Sequence, residues 1–320
     1  MTTRSRAGPR REAFVSPSHV VRSRADATYH VPPLYEPHVQ GFRRWTVVDE
    51  AAGSVHTGFG LGEMDPGGRI DPHVHSFEES LYVLEGEVVW RTPGAAVLVR
   101  PGDYGVVPVG IAHALRNEGT TTARWAAMSA PVPRRAHQGD TYFVPEFADA
   151  DADAVPVDPR DPRTRSFGHI DPANMDVGNQ RQEMLAVSAS MRTALLVYSG
   201  ITVKMMVDTD LGANLSTMFM VQYETRGVAG PHDHPLEETY LILDGLVDAT
   251  FDGAQYRLEP GDVAWAGVGC VHSFTNPGPG TVRWLETQAP QPPARHSYRF
   301  ARDWDYLQQA LTERTEAVRE

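Results

Sequence analysis

The chain has 320 residues, with 41 acidic side chains against 29 basic ones and a formal net charge of −12. That balance excludes the phosphate backbone of nucleic acid as a natural partner, and no apolar run approaches the ~18 residues of a membrane helix. A single cysteine, Cys270, excludes an intrachain disulfide and fits a reducing, cytoplasmic compartment.

Residues 1 to about 40 begin basic (Arg4, Arg6, Arg10, Arg11) with no apolar core behind them, so they read as an arm rather than a secretory signal. The arm ends in a proline-rich lead-in with Pro32, Pro33 and Pro37. Residues 41–135 form a first domain of short strands cut by turns such as Asp65-Pro66-Gly67-Gly68 and Thr92-Pro93-Gly94. Its first strand, Arg43 to Val48, is expected to cross to the other domain. Residues 136–190 are acidic and proline-bearing, with Asp149, Asp151 and Asp153 ahead of Asp158-Pro159. They read as a linker wrapping the surface, with a helical turn or two at Gln180 to Leu185. Residues 191–300 repeat the strand-rich texture. Residues 301–320, with Trp304, Leu307 and Leu311 on one stripe, predict a short C-terminal helix.

The two strand-rich regions align without a gap. His73 and His232 are 159 residues apart (232 − 73), and Glu79 and Glu238 share that offset (238 − 79). So do Gly86 and Gly245, Pro101-Gly102-Asp103 and Pro260-Gly261-Asp262, His113 and His272, and Arg124-Trp125 and Arg283-Trp284. This is a duplicated domain, and both copies should share one fold.

Within each copy, a His-x-His-x3-Glu run is answered far downstream by a third histidine. Residues two apart on a strand point the same way, so His73 and His75 share a face, as do Glu79, Leu81 and Val83 on the next strand. Three neutral imidazoles and a carboxylate suit Fe(II), Mn(II), Ni(II), Cu(II) or Zn(II). On an octahedral ion they leave two positions for a bidentate substrate, or for substrate plus O2 or water. A divalent ion with one carboxylate keeps the site positive and favours an anionic or enolisable small molecule.

Gly67-x5-His73-x-His75-x3-Glu79-x6-Gly86 resembles the first motif of the cupin superfamily. Gly102-x5-Pro108-x-Gly110-x2-His113-x3-Asn117 resembles its second. With both motifs in both halves, the chain resembles a bicupin. The second copy departs at Arg226, where the leading glycine would stand, and at Gly267 in place of the proline. The resemblance implies an all-β architecture of two tandem double-stranded β-helix (jelly-roll) barrels. It implies two metal sites, His73, His75, Glu79 and His113, then His232, His234, Glu238 and His272.

For activity it implies a metal-dependent enzyme. The leading expectation is an Fe(II) dioxygenase cleaving a C–C bond in a small enolisable or hydroxylated/keto substrate, with O2 as co-substrate. The alternatives are a non-redox Mn or Zn hydrolase similar to ureidoglycine aminohydrolase, an isomerase or a decarboxylase, and a non-catalytic metal or small-ligand binding protein. Glu79 and Glu238 are the catalytic bases in this reading, and Tyr240, on the face of Glu238, a hydrogen-bond donor to substrate. Phe59, Leu61, Met218, Met220 and Gln222 are expected to line the pockets by strand parity, and Lys204 to hold a substrate carboxylate. Glu78 and Glu237 should face away, into solvent or an interdomain contact. Trp125 and Trp284 are read as core or interface, Cys270 as a buried inert thiol. Barrel pairing within the chain is expected, and a homodimer beyond it is compatible.

Overall fold

The computed structural model describes residues 18–147, 152–176, 198–291 and 299–300. The proposed Gln180–Leu185 turn and the C-terminal helix lie outside them. The first half runs through β1 (His19–Arg22), β2 (Val39–Val48), β3 (Gly58–His75), β4 (Glu78–Glu85), β5 (Val88–Thr92), β6 (Ala95–Val99), β7 (Asp103–Val107), β8 (His113–Arg116) and β9 (Ala123–Ala130). The intervening region adds β10 (Thr141–Phe143), β11 (Val155–Pro156) and β12 (Phe167–His169). The second half runs through β13 (Tyr198–Val207), β14 (Thr217–Asp233), β15 (Glu237–Asp244), β16 (Val247–Phe251), β17 (Ala254–Leu258), β18 (Val263–Ala266), β19 (His272–Thr275), β20 (Val282–Ala289) and β21 (Arg299–Phe300).

Two curled sheets result, each closing around its own apolar core. In the first, β6, β5, β8, β3, β9, β4 and β7 are neighbours in that order, with β2 on β3. In the second, β17, β16, β19, β14, β20, β15 and β18 repeat the order, with β13 on β14. The duplication extends further upstream than the motifs. Val39 and Val48 bound β2, and Tyr198 and Val207 bound β13, at the same offset (198 − 39, 207 − 48). Gly41 and Gly200 occupy matching bulges with φ of 64° and 65°, which favours glycine at both places.

Three expectations about the connections are corrected. β2 does not cross to the other domain; it pairs with β3 of its own sheet. The crossing element is β1, from the supposed arm, which pairs antiparallel with β18 of the second sheet. Nor is the intervening region only a linker. β10 pairs with β3, β11 with β6 and β12 with β7, all on the first sheet. Acidic, proline-bearing composition hid these strands because they are two or three residues long and sit at sheet edges, where proline is tolerated.

The barrels are joined face to face. Trp45, Val47, Phe59, Leu61, Met128 and Ala130 of the first share one buried cluster with Met206, Val207, Met218, Met220, Leu241 and Leu285 of the second. Each such side chain contributes about 1.5–3 kcal/mol when fully buried. Around this core lies a reciprocal carboxylate anchor. Glu237 accepts hydrogen bonds from the backbone N–H of Val55 (2.8 Å), His56 (3.1 Å) and Thr57 (2.9 Å). Glu78, its counterpart, accepts from the N–H of Asn214 (2.7 Å) and Ser216 (3.1 Å) and from the Ser216 hydroxyl (2.6 Å). Both carboxylates are buried. They face away from the barrel interiors, and the contact they make is the interdomain one.

Candidate metal centres

In the first barrel β3 carries His73 and His75, the start of β4 carries Glu79, and β8 carries His113. Their register brings His73 opposite His113. One ring nitrogen of each imidazole lies within 4.8 Å of the others. Glu79 Oε2 lies 3.5 Å from His75 Nε2 and 3.3 Å from His113 Nε2.

The tautomers are set by what stands behind each ring. His73 Nδ1 is 2.8 Å from the Asp71 carbonyl and His113 Nδ1 is 3.1 Å from that of Ile111. Carbonyls only accept, so both Nδ1 atoms carry the proton. His75 Nδ1 is 2.9 Å from Thr141 Oγ1, whose hydroxyl is already donated to the Gly139 carbonyl, so His75 also donates. Three Nε2 lone pairs therefore converge with one carboxylate. Burial, reinforced by the neighbouring imidazoles, holds His73 well below its usual pKa, and burial lowers His75. Burial works against the charge on Glu79, but His113 and His75 hold it well below the usual carboxylate range. Four acceptor groups with no donor among the described residues call for positive charge, and a divalent cation supplies it.

The second barrel repeats this geometry. Nδ1 of His232, His234 and His272 faces the carbonyls of Gly230 (2.8 Å), Leu236 (2.9 Å) and Cys270 (3.0 Å). Glu238 Oε2 lies 2.8 Å from His234 Nε2 and 3.3 Å from His272 Nε2. Burial beside His272 lowers His232 to about 3. Burial also disfavours charge on His234, but Glu238 raises it. The surroundings differ, however. The Tyr240 hydroxyl donates to Glu238 and lies 3.0 Å from His272 Nε2. Gln288 donates to the other Glu238 oxygen. Glu286, buried near Glu238, is pushed well above the usual carboxylate range by burial and by that charge. The first barrel has Leu81, Ser129 and Ala127 at these positions.

The expected pocket walls are corrected. Phe59, Leu61, Met218 and Met220 belong to the interdomain core, not to either cavity. Gln222 is turned the same way and donates to the Met175 carbonyl at 3.3 Å. Lys204 is the register partner of Met220 and so shares that outward face. The period of two was right and its phase was off by one residue. The inward set on β3 is Gly60, Gly62 and Met64, and on β14 it is Phe219, Val221 and Tyr223. Phe59 and Leu61 look like pocket residues by hydrophobicity alone, yet the second barrel is what they cover. Trp125 and Trp284 are buried core residues, as expected. Cys270 is buried, and burial pushes its thiol up to about 12.

Sequence reasoning did not single out Arg44, Tyr35 or Thr141. The first two border the narrow cavity that opens onto His73 and Glu79, together with Trp90 and Trp125. The Trp90 indole stacks on His113 at 5.3 Å between centroids, and Tyr35 meets His73 edge-on at 5.9 Å. Burial, with the charge of Glu79, pushes the Tyr35 hydroxyl up to about 12. Extending the offset to β2 would have exposed Arg44, because Val203 stands opposite it. A third histidine–acid–thiol group, His19, Asp252 and Cys270, also forms, but His19 spends its ring nitrogens on Ser18 (3.2 Å) and Tyr256 (2.9 Å).

The cupin domain family matches residues 60–129 and again 219–287. The tetracenomycin polyketide synthase protein TcmJ of Streptomyces glaucescens is 31% identical over 117 residues, 35% of this chain and 78% of that protein. The polyketide synthase CurC of Streptomyces cyaneus is 28% identical over 118 residues, 37% of this chain and 77% of that protein. Among solved structures, a Bacillus subtilis oxalate decarboxylase variant superposes with a TM-score of 0.58 at 14% identity, over 92% of this chain and 81% of that one. The Lactobacillus farciminis oxalate decarboxylase–formate complex gives 0.57 at 15% identity, over 92% and 91%. At such identities the structures speak for the fold alone. Two matched domains, two barrels and two complete histidine–carboxylate sets make this chain a member of the cupin superfamily, with the two-domain bicupin architecture.

Proposed function

We propose that this chain is a metal-dependent enzyme that takes a small enolisable, hydroxyl- or keto-bearing substrate at the first barrel, and that its reaction is an Fe(II)-dependent dioxygenation. The observation that carries the reading is the contrast between two equal donor sets. The second is packed around by Tyr240, Glu286 and Gln288, while the first faces a cavity bordered by Arg44 and Tyr35. When bound by His73, His75, Glu79 and His113, the ion supplies a Lewis-acid centre and, as Fe(II), a redox partner for O2.

The chain's own residues do the rest. Thr141 and the two carbonyls hold the imidazoles in the metal-binding tautomer. Trp90 and Trp125 wall the cavity and exclude water. Tyr35 stays protonated at neutral pH, hydrogen-bonded to Thr141 at the cavity wall. Glu79 is the carboxylate available to take a substrate proton. Tyr240 and Glu238 then serve the second site by organising it rather than by turning over substrate.

A second reading keeps the site and changes the chemistry: Mn(II) or Zn(II) acting only as a Lewis acid on an enolisable carbonyl. The sequence relatives favour it, since both are named as polyketide synthase proteins, and polyketide chains are rich in such carbonyls. Metal analysis of the protein as isolated, with O2 uptake across a panel of enolisable substrates, separates the two. The Fe(II) form should consume O2, His75→Ala should abolish turnover, and His234→Ala should keep at least about half. No O2 uptake by the Fe(II) form leaves the Lewis-acid reading. Turnover by metal-free protein defeats both.

A further inference from the structure

We infer that Arg44 is the substrate-anion receptor of the first barrel, and that its absence from the second barrel is what restricts substrate to one site. The inference rests on the first-barrel reading above and adds the class of ligand: the carboxylate or enolate end of a small anion. Arg44 stands on β2, two residues from Phe42, which is buried in the first barrel's core. Its neighbour Trp45 points the other way, into the interdomain core. Arg44 therefore faces inward, and it borders the same cavity as His73 and Glu79.

The fold makes room for this guanidinium at a cost to packing. A Cβ at residue 60 would lie 2.8 Å from Arg44 Nε, so only glycine lets the side chain cross β3 there. Next along, a Cβ at residue 62 would lie 2.7 Å from the Trp125 indole. The second barrel fills the matching positions with Val203, Phe219 and Val221, an apolar plug. Arg44 Nε is buried and has no hydrogen-bond partner among the described residues. Its neighbour Arg43 is instead bound to Glu63 (2.9 Å) and Asp65 (3.0 Å). A buried guanidinium nitrogen left open beside a metal centre costs stability unless a ligand completes it. A carboxylate or enolate on the ion is the group of the right charge and shape.

The test uses the Co(II)-loaded full chain in a His234→Ala background, so that the visible spectrum reports the first barrel alone. Malonate serves as the anionic chelating probe and imidazole as the neutral one. Arg44→Gln should weaken malonate about 10- to 100-fold, leave imidazole within about twofold, and leave the Co(II) spectrum unchanged. Arg44→Lys should restore part of the malonate affinity. Unchanged malonate binding in Arg44→Gln overturns the inference while the metal reading stands. Equal weakening of both probes also overturns it, because that is the signature of a collapsed pocket. Failure of the His234→Ala parent to take up Co(II) overturns the first-barrel metal reading itself, and this inference with it.

Discussion

Six imidazoles point their Nε2 atoms at two shared centres because six oxygens hold their Nδ1 protons. The arrangement has a pH signature. Folding lowers the pKa of His73, His75 and His232, so below about 6.5 the unfolded chain binds protons that the folded protein refuses. Stability then falls as pH falls, from about 6.5 down to about 3 for His232. His234, raised by Glu238, works in the opposite direction. The metal-free protein should therefore lose stability as pH falls below about 6.5, read as a falling Tm between pH 7 and 5. A rising Tm over that range would contradict the burial argument. Gly60 supplies a second residue-scale prediction. A Cβ there would stand 2.6 Å from the Trp45 carbonyl, and backbone does not yield cheaply. Gly60→Ala should cost about 1–3 kcal/mol in denaturant titration and displace Arg44, weakening malonate as well. The ligand histidines were legible from spacing. Arg44 was not, because an arginine on a strand reads as a surface residue until its neighbours are known.

At the scale of elements, the interdomain loops are held by a carboxylate from the opposite barrel. Glu237→Ala would strand the buried N–H of Thr57 and free those of exposed Val55 and half-buried His56 to water, a buried unsatisfied donor costing about 1–3 kcal/mol. Chemical denaturation should show a loss of about 1–3 kcal/mol, with Glu78→Ala similar by symmetry. A change below about 0.5 kcal/mol would mean that water replaces the anchor. Strand parity placed these two glutamates correctly, outward from the barrels. The same logic failed one strand away, on β3 and β14, where either face could bury apolar side chains. Gly60 and Gly62 give no hydrophobic signal, so the outward Phe59 and Leu61 looked inward. The metal strands β4 and β15 escaped this ambiguity because the glutamate after the paired histidines marks the inner face.

For the molecule as a whole, the crossing of β1 onto β18 is the tie that no pattern announced. Val20 is buried in the interdomain core, and the Arg24 N–H donates to Asp262 at 2.8 Å. Removing residues 1–24 should expose the edge of β18, lower the Tm of the second barrel, and increase aggregation in light scattering. Unchanged Tm and monodispersity would make β1 an ornament of the edge. The sequence by itself determined the duplication, the β-barrel class, the pairing of three histidines with a glutamate and the outward facing of Glu78 and Glu237. All of these are local spacings or offsets, and a strand's geometry translates spacing directly into direction. Only the tertiary structure decided which face of β3 and β14 is inside, which short segments complete each sheet, and which side chains surround each donor set. Those depend on what packs against a strand from far along the chain. Arg44 over Gly60 and Tyr240 against Glu238 are the two packing choices that make equal motifs into unequal sites.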